Sequence, residues 1–543
     1  MRLKIALAEL ALLAWLAAPA PAQSNAIPGT DVSLGFLDEL VQQGREGTFP
    51  NGVASVSMST TSCNLGSVNV PWFATMQEDH PLIAFLLARE DDSGRFVQIS
   101  DRSRVKHAFF ALSNSQCIPC VNPVFAGNFL GVGCSDTYTS AVNAFNSELG
   151  PADEIDPWLG TWEAECSFFD LGLNPGPTPV CDGFRSFTFS QSNNLGPLGF
   201  RVLVDEAELI NSGNPSFWYS SQYVVRGEPE ANRGNNLGSR QFLPTFNGNN
   251  WNFQVGGLLL EGSVLQRWSD ATVTSATNGN DDGRVYVGVK VTGPVNGLYH
   301  YEYALHNRDN SRGIDAVTLP SCVQAGIQNF GSRDIDDLAG NNWTATMDGG
   351  AIEVQGAGNP LAWNTIYNFW FDSPAAPVAG DMTLTEAAAG PGADQFTVST
   401  TIPGSANFAV TGPGCSLTLP GTLRPSGLAL SGDSSFALLG EGVAAAAPVL
   451  VYASATPGSL PIGSCTASLG GILGTDIFLL GSTASDATGA FSLPLPIPAS
   501  PSFDGLTLET QAVVITGPGA PLLDIAELTD GMRFVFGVPT GCL

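Results

Sequence analysis

Through most of this chain apolar side chains fall at every second position, and that period narrows the fold more than any other feature. In Arg284-Val285-Tyr286-Val287-Gly288-Val289-Lys290-Val291 the valines share one face, as they would on a strand with one side buried. Leu506-Thr507-Leu508-Glu509-Thr510-Gln511-Ala512 alternates likewise. In Phe491-Ser492-Leu493-Pro494-Leu495-Pro496-Ile497 the alternation includes prolines, which remove ladder donors and predict an edge strand. Between such runs the 62 glycines, 37 prolines and recurring asparagines supply turn signals. Helical spacing is confined to Val32–Gly44, where Leu34, Leu37, Leu40 and Val41 would line one helix face. The expected fold is all-β, with two or three sandwich-like units and one short N-terminal helix.

The first residues carry a different message. Arg2 and Lys4 precede an apolar run from Ile5 to Ala18 broken only by Glu9, and Ala18-Pro19-Ala20-Pro21-Ala22 follows. That layout predicts a secretory signal peptide over residues 1–22, cleaved after Ala22, and a protein that is secreted or held in the periplasm or at the cell exterior. The apolar run is short for a span, and no later segment is long and apolar enough for one. The ten cysteines are then expected in disulfides. Lys+Arg number 21 against Asp+Glu 50, a net charge of -29. Such a surface repels phosphate backbones and anionic headgroups, which argues against nucleic acid and membrane as partners.

Composition divides the mature chain into three regions. Residues 26–160 hold Cys63, Cys117, Cys120 and Cys134; residues 161–402 are rich in Trp, Tyr and Asn; residues 403–543 contain no Lys or His. The run Ala388-Ala389-Gly390-Pro391-Gly392-Ala393 reads as a linker before the third region.

Several stretches are similar to a large group of uncharacterised secreted bacterial proteins. They are Thr61-Ser62-Cys63-Asn64-Leu65-Gly66, Asp79-His80-Pro81, Lys106-His107-Ala108-Phe109-Phe110-Ala111-Leu112 and Leu130-Gly131-Val132-Gly133-Cys134-Ser135-Asp136 in the first region, with Tyr301–Asn307 and Trp363–Asp372 in the second. The third region, with Leu493-Pro494-Leu495-Pro496-Ile497-Pro498, resembles a C-terminal module of exported proteins. The resemblance implies no catalytic residue, because the group has no established activity. Likeness to the module implies that Cys415 pairs with Cys465, which leaves Cys322 and Cys542 either paired or free. The pair Cys166 and Cys181 is expected on local grounds: Asn174-Pro175-Gly176-Pro177 lets the intervening chain double back, and closing a loop of about 15 residues stabilises by roughly 3 kcal/mol.

Candidate chemistry is sparse. His80, His107, Cys117, Cys120 and Cys134 could form a zinc or copper site, or Cys117-Ile118-Pro119-Cys120 a redox dithiol. Export favours two disulfides among Cys63, Cys117, Cys120 and Cys134 and no metal, with the pairing open. His300, Glu302 and His306 share a strand face, but the two histidines stand roughly 20 Å apart and do not hold one ion; that face is expected in solvent, with Tyr301, Tyr303 and Leu305 toward the core. Arg102, Arg104 and Lys106 could clamp an anion, or pair with Glu90, Asp91 and Asp92. No cofactor is expected, but Asn278–Gly283 and the loop with Asp334, Asp336 and Asp337 offer oxygen ligands for calcium, although Asn, Asp and Gly more often serve plain turns.

No Gly-x-Ser-x-Gly elbow, Walker loop or His-Glu-x-x-His occurs. Carboxylates for a hydrolase exist at Glu163, Glu165, Asp205, Glu206 and Glu208. Trp251, Trp268, Trp343, Trp363 and Trp370 either fill cores or offer a stacking surface. The function expected is that of an exported, non-enzymatic binding, surface or assembly protein whose partner is a polymer, a surface or another chain. The alternatives are a secreted carboxylate-dependent polysaccharide hydrolase and a Cys/His metal or redox protein.

Overall fold

The computed structural model describes residues 25–537, apart from 79, 108–109, 123–126, 172–180, 212, 214, 296–297, 322–325, 337, 349–350, 357, 374, 376, 405–407, 418–419, 427–428, 430 and 504. The expected signal peptide at 1–22, Asp337, Cys322 and Cys542 lie outside these residues. Strand accounts for about 51% and helix for 8%, so the fold is all-β. No helix among the described residues is long and apolar enough to cross a membrane.

The strands of the first unit are β1 (Val32–Glu46), β2 (Val53–Asn64), β3 (Leu82–Glu90), β4 (Phe96–Gln98), β5 (Val105–His107), β6 (Ser135–Tyr138), β7 (Leu149–Gly150), β8 (Val202–Asp205), β9 (Ser216–Val224), β10 (Leu237–Phe246) and β11 (Trp251–Glu261). One sheet runs β1-β2-β8, with β6 also on β2; the other runs β11-β10-β9-β3-β5-β7, with β4 on β3. Leu34, Leu37, Leu40, Val56 and Met58 from the first sheet meet Phe85, Leu87, Phe217, Tyr219 and Phe242 from the second in one core.

Two expectations fail here. The helix at Val32–Gly44 is strand β1, paired antiparallel with β2. Its register shifts between Leu34 and Phe36, between Leu37 and Leu40, and between Gln42 and Gly44. Each shift resets the alternation, so Leu34, Leu37 and Leu40 are all buried despite spacing that imitates a helix. The boundary at 160/161 fails because β9, from beyond it, pairs with β3 along nine consecutive positions, Ser216↔Glu90 to Val224↔Leu82.

The second unit holds β12 (Thr272–Thr277), β13 (Arg284–Val295), β14 (Leu298–Asn307), β15 (Ile314–Pro320), β16 (Gln328–Arg333), β17 (Thr344–Asp348), β18 (Ala351–Gln355), β19 (Thr365–Ser373), β20 (Pro377–Glu386) and β21 (Gln395–Pro403). They form two five-stranded sheets, β12-β13-β14-β19-β16 and β17-β18-β15-β20-β21, around Val285, Val287, Tyr301, Tyr303, Leu305 and Phe371. Ala388–Ala393 is not a linker. It is the turn between β20 and β21, tied down by Arg312, which donates to Ala388 O and to Ala393 O at 2.8 Å.

The third unit pairs Phe408–Gly412, Asp524–Val535, Thr507–Ala520, Pro448–Ser454 and Ile477–Ala484 in one sheet. Thr422–Pro425, Ala437–Glu441 and Phe491–Pro494 form the other, with the proline-bearing strand at its edge as expected. Leu438, Val449, Val451, Leu493 and Phe534 fill the space between them. Among the described residues four disulfides are present: Cys63–Cys117, Cys120–Cys134, Cys166–Cys181 and Cys415–Cys465.

Candidate functional site

The Cys-x-x-Cys is split between two bridges, Cys117 going to Cys63 on β2 and Cys120 to Cys134. It is neither a dithiol pair nor a set of metal ligands. His80 and His107 do come together: His80 Nε2 lies 2.5 Å from His107 Nδ1, while His80 Nδ1 meets Gln77 O. Trp162 and Phe169 stand edge-on to the buried His107 ring. Burial, then His80, Lys106 and Arg185, hold its pKa well below the ordinary imidazole range. A Cβ on Gly150 would sit 2.6 Å from His107 Nε2, so that nitrogen faces packed backbone, with no room for a ligand.

The basic residues do not converge on an open site. Arg102 pairs with Asp153 and donates to Trp363 O at 3.2 Å. Arg104 lies over the Phe168 and Phe200 rings, 4.4 and 3.8 Å from their centroids. Lys106 is fully buried on β5, and burial brings its pKa down to about 8 against the pull of Glu148. Arg102 thus pairs with one of the chain's own carboxylates, while Glu90 pairs instead with Lys290 at 3.1 Å.

The polar face of β14 is covered by the first unit. Arg95 grips Glu302 with Nε at 2.8 Å and Nη2 at 2.6 Å, and lies over the Trp370 ring. His306 is buried, with Nδ1 2.8 Å from Ser263 Oγ. His300 is held between Asp372 at 2.5 Å and Glu302 at 2.9 Å, and the Glu302 hydrogen bond leads in raising its pKa.

The calcium candidates are occupied by protein. Asp282 is buried against Arg312 (3.2 Å) and Asn278 (2.9 Å). Asp334 accepts from Asp336 N (3.0 Å) and Asn359 Nδ2 (2.7 Å), and Asp336 from Leu338 N (2.7 Å) and Asn341 Nδ2 (3.1 Å). Among the described residues no group of three His, Cys, Asp or Glu is placed to hold a metal ion.

The main candidate is a groove of about 780 Å³ between the first and last strands of the first unit in chain order, which lie at the edges of its two sheets. One wall is Leu40–Arg45 of β1, the other Asn250–Phe253 at the start of β11. Each wall is an edge: β1 pairs only with β2 and β11 only with β10 among the described strands. Gln42 crosses the gap, accepting from Trp251 N at 2.8 Å and donating to Asn250 Oδ1 at 3.2 Å.

Arg45 is consumed by Glu206, which accepts from Nε at 2.6 Å and Nη2 at 2.7 Å and takes the Trp251 indole N–H at 3.1 Å. Burial pushes the Glu206 carboxyl up, but these donors outweigh it and hold it below the usual range. The groove is therefore walled by amides, backbone edges and aromatic rings without a free charge. Phe49, 40% exposed, stacks on Phe246 at 4.4 Å, and both rings adjoin Trp251. Of the two readings of the tryptophans, core filling holds for Trp251, Trp268, Trp343 and Trp363, which are buried.

A second depression of about 470 Å³ lies between the first two units. Asp101, Asp205, Glu208, Asp334 and Asp336 line it. Burial pushes Asp101 up to about 7 against the Leu203 N–H bond, and burial raises Asp334 too. Glu208 is neutralised by Arg89 and Arg333, each at 3.0 Å. Of the other sequence candidates, Glu163 and Glu165 are exposed elsewhere, and Glu206 belongs to the groove wall.

No protein-family model matches the chain, and no curated protein does. Among solved structures it is similar to an Escherichia coli alpha-2-macroglobulin activated by porcine elastase, at 9% identity and a TM-score of 0.14 over 94% of this chain and 35% of that one. It is similar also to a Salmonella alpha-2-macroglobulin reacted with methylamine, at 8% identity and a TM-score of 0.15 over 94% and 33%. The chain spans about a third of the length of these proteins, and likeness at such TM-scores carries no argument about fold or function.

Proposed function

We propose that the protein is an exported, non-enzymatic binding protein that holds an extended polymer chain in the groove between β1 and β11. The observation that carries this reading is the lining: Gln42, Gln43, Asn250 and Asn252 beside Trp251 and Phe253, with Arg45 tied to Glu206. Amides and ring edges bind uncharged chains, but none of these groups exchanges a proton at neutral pH, as acid–base catalysis requires. Four disulfides suit a protein that works outside the cytoplasm. The test is to incubate the mature protein with a panel of insoluble polysaccharides and immobilised unfolded polypeptides, measuring retention and released product together. Retention on one class without product is expected. Absence of retention on every matrix contradicts the reading.

One observation favours hydrolysis as a second reading. Asp101, near 7 in a cleft lined by ionisable carboxylates, has the poise of a general acid. Product release that Asp101→Asn abolishes would support it.

A further inference from the structure

The groove's two walls are unpaired strand edges, and the hydrogen-bond pattern at the head of β11 shows which backbone groups face it. Asn247 N–H donates to Asn250 O at 3.0 Å, closing the β10–β11 hairpin. The next pairs are Phe246↔Trp251, Thr245↔Asn252 and Pro244↔Phe253. Antiparallel ladders alternate bonded and non-bonded pairs, so the backbone groups of Trp251 and Phe253 point away from β10. Trp251 N–H confirms the direction by donating across the groove to Gln42 Oε1. The Gln42 side-chain amide, an acceptor toward Trp251 and a donor toward Asn250, thus stands where the peptide group of an added strand would stand.

Resting on the binding reading above, we propose that the occupant of this groove is an extended polypeptide segment of another protein, which displaces Gln42 and adds as a strand to the open edge of β11. Strand addition draws affinity from main-chain bonds and specificity from alternate side chains. A sugar chain would need a ring face to stack on, and Trp251 offers little: it is 5% exposed and its indole N–H is spent on Glu206. Charge defines the segment further. The groove holds no free charge, while Glu39 precedes the β1 wall and Glu46 follows it, on a chain of net charge -29, Asp38 being paired with Arg240. The fitting partner has an uncharged centre that alternates apolar residues and basic residues on its flanks.

The test is selection of a random short-peptide phage library on the intact protein, followed by synthesis of an enriched peptide. A second version of that peptide carries N-methyl groups on alternate backbone nitrogens. Enriched sequences should alternate apolar residues between basic flanks. Methylation along one edge should weaken binding roughly tenfold or more, while methylation along the other edge leaves it intact. Phe253→Pro, which deletes the outward N–H at an edge that tolerates proline, should weaken binding similarly, and Gln42→Ala should bind at least as tightly. No enrichment, or a peptide indifferent to methylation on either edge, overturns the strand proposal. Displacement of the peptide by a soluble cello-oligosaccharide that occupies the groove also overturns it, while leaving the polymer-binding reading in place. If filling the groove with Asn252→Trp changes neither peptide nor sugar binding, both readings fall.

Discussion

His306 shows how burial converts an ordinary side chain into a pH liability. It is enclosed between the first two units, and burial lowers its pKa to about 3. An unfolded histidine titrates near 6.5, so between pH 6.5 and 3 the unfolded state binds the extra proton and stability falls as pH drops. The slope reaches about 1.4 kcal/mol per pH unit, and the loss is complete below the folded pKa. His306→Phe should flatten this dependence, as urea unfolding at pH 7 and pH 4.5 would show; an unchanged slope would mean that other groups carry it. Asp309 is a sharper case. Its carboxylate is buried between Arg233 Nη1 and Arg308 Nη2, both at 2.9 Å, and takes Arg284 N–H at 2.9 Å. Asp309→Ala would leave two buried guanidinium groups short of their counter-ion. It should destabilise by about 3–5 kcal/mol, measurable by denaturant unfolding.

At the scale of elements, β1 is the place where sequence reading and structure part. A helix would put Leu34, Leu37, Leu40 and Val41 on one stripe; the strand, with three register shifts, buries Leu34, Leu37 and Leu40 and leaves Val41 out of the core. The discriminating residue is Phe36, 40% exposed while Leu37 is 1% exposed. Leu37→Ala is expected to cost about 2–5 kcal/mol in thermal or denaturant unfolding, and Phe36→Ser well under that. Stretches in unbroken register were legible directly: Val285, Val287 and Val289 point into the core as their alternation requires. The bridge Cys166–Cys181 was legible too, because its loop is local, whereas Cys63, Cys117, Cys120 and Cys134 admit three pairings that only the placement of β2 resolves. The polar face of β14 was misplaced into solvent because no periodicity reveals that a second sandwich will cover it. The groove was not legible at all. Gln42 and Trp251, which bridge it, are 209 residues apart, and Gln42 fell in the stretch that imitates a helix.

At the scale of the molecule, two sandwiches share a buried seam, and the described strands of a third unit pair with one another. Leu86, Phe96 and Trp218 of the first unit pack on Trp268, Ala304 and Ile366 beyond it, so the first two should unfold together. The third has its own core and its own bridge, Cys415–Cys465. A fragment spanning residues 403–543 should show strand-type circular dichroism and one cooperative thermal transition, and a disordered spectrum would contradict its independence. The central claim concerns what the first unit does with its two open edges, and one binding measurement addresses it most directly. Wild type, Asn252→Trp and Asp101→Asn, matched for melting temperature, are compared on whichever matrix retains the wild type, with product assayed in the same tube. The account predicts that Asn252→Trp loses retention, Asp101→Asn keeps it, and no product appears. Product release that Asp101→Asn abolishes, with retention indifferent to Asn252→Trp, would contradict it.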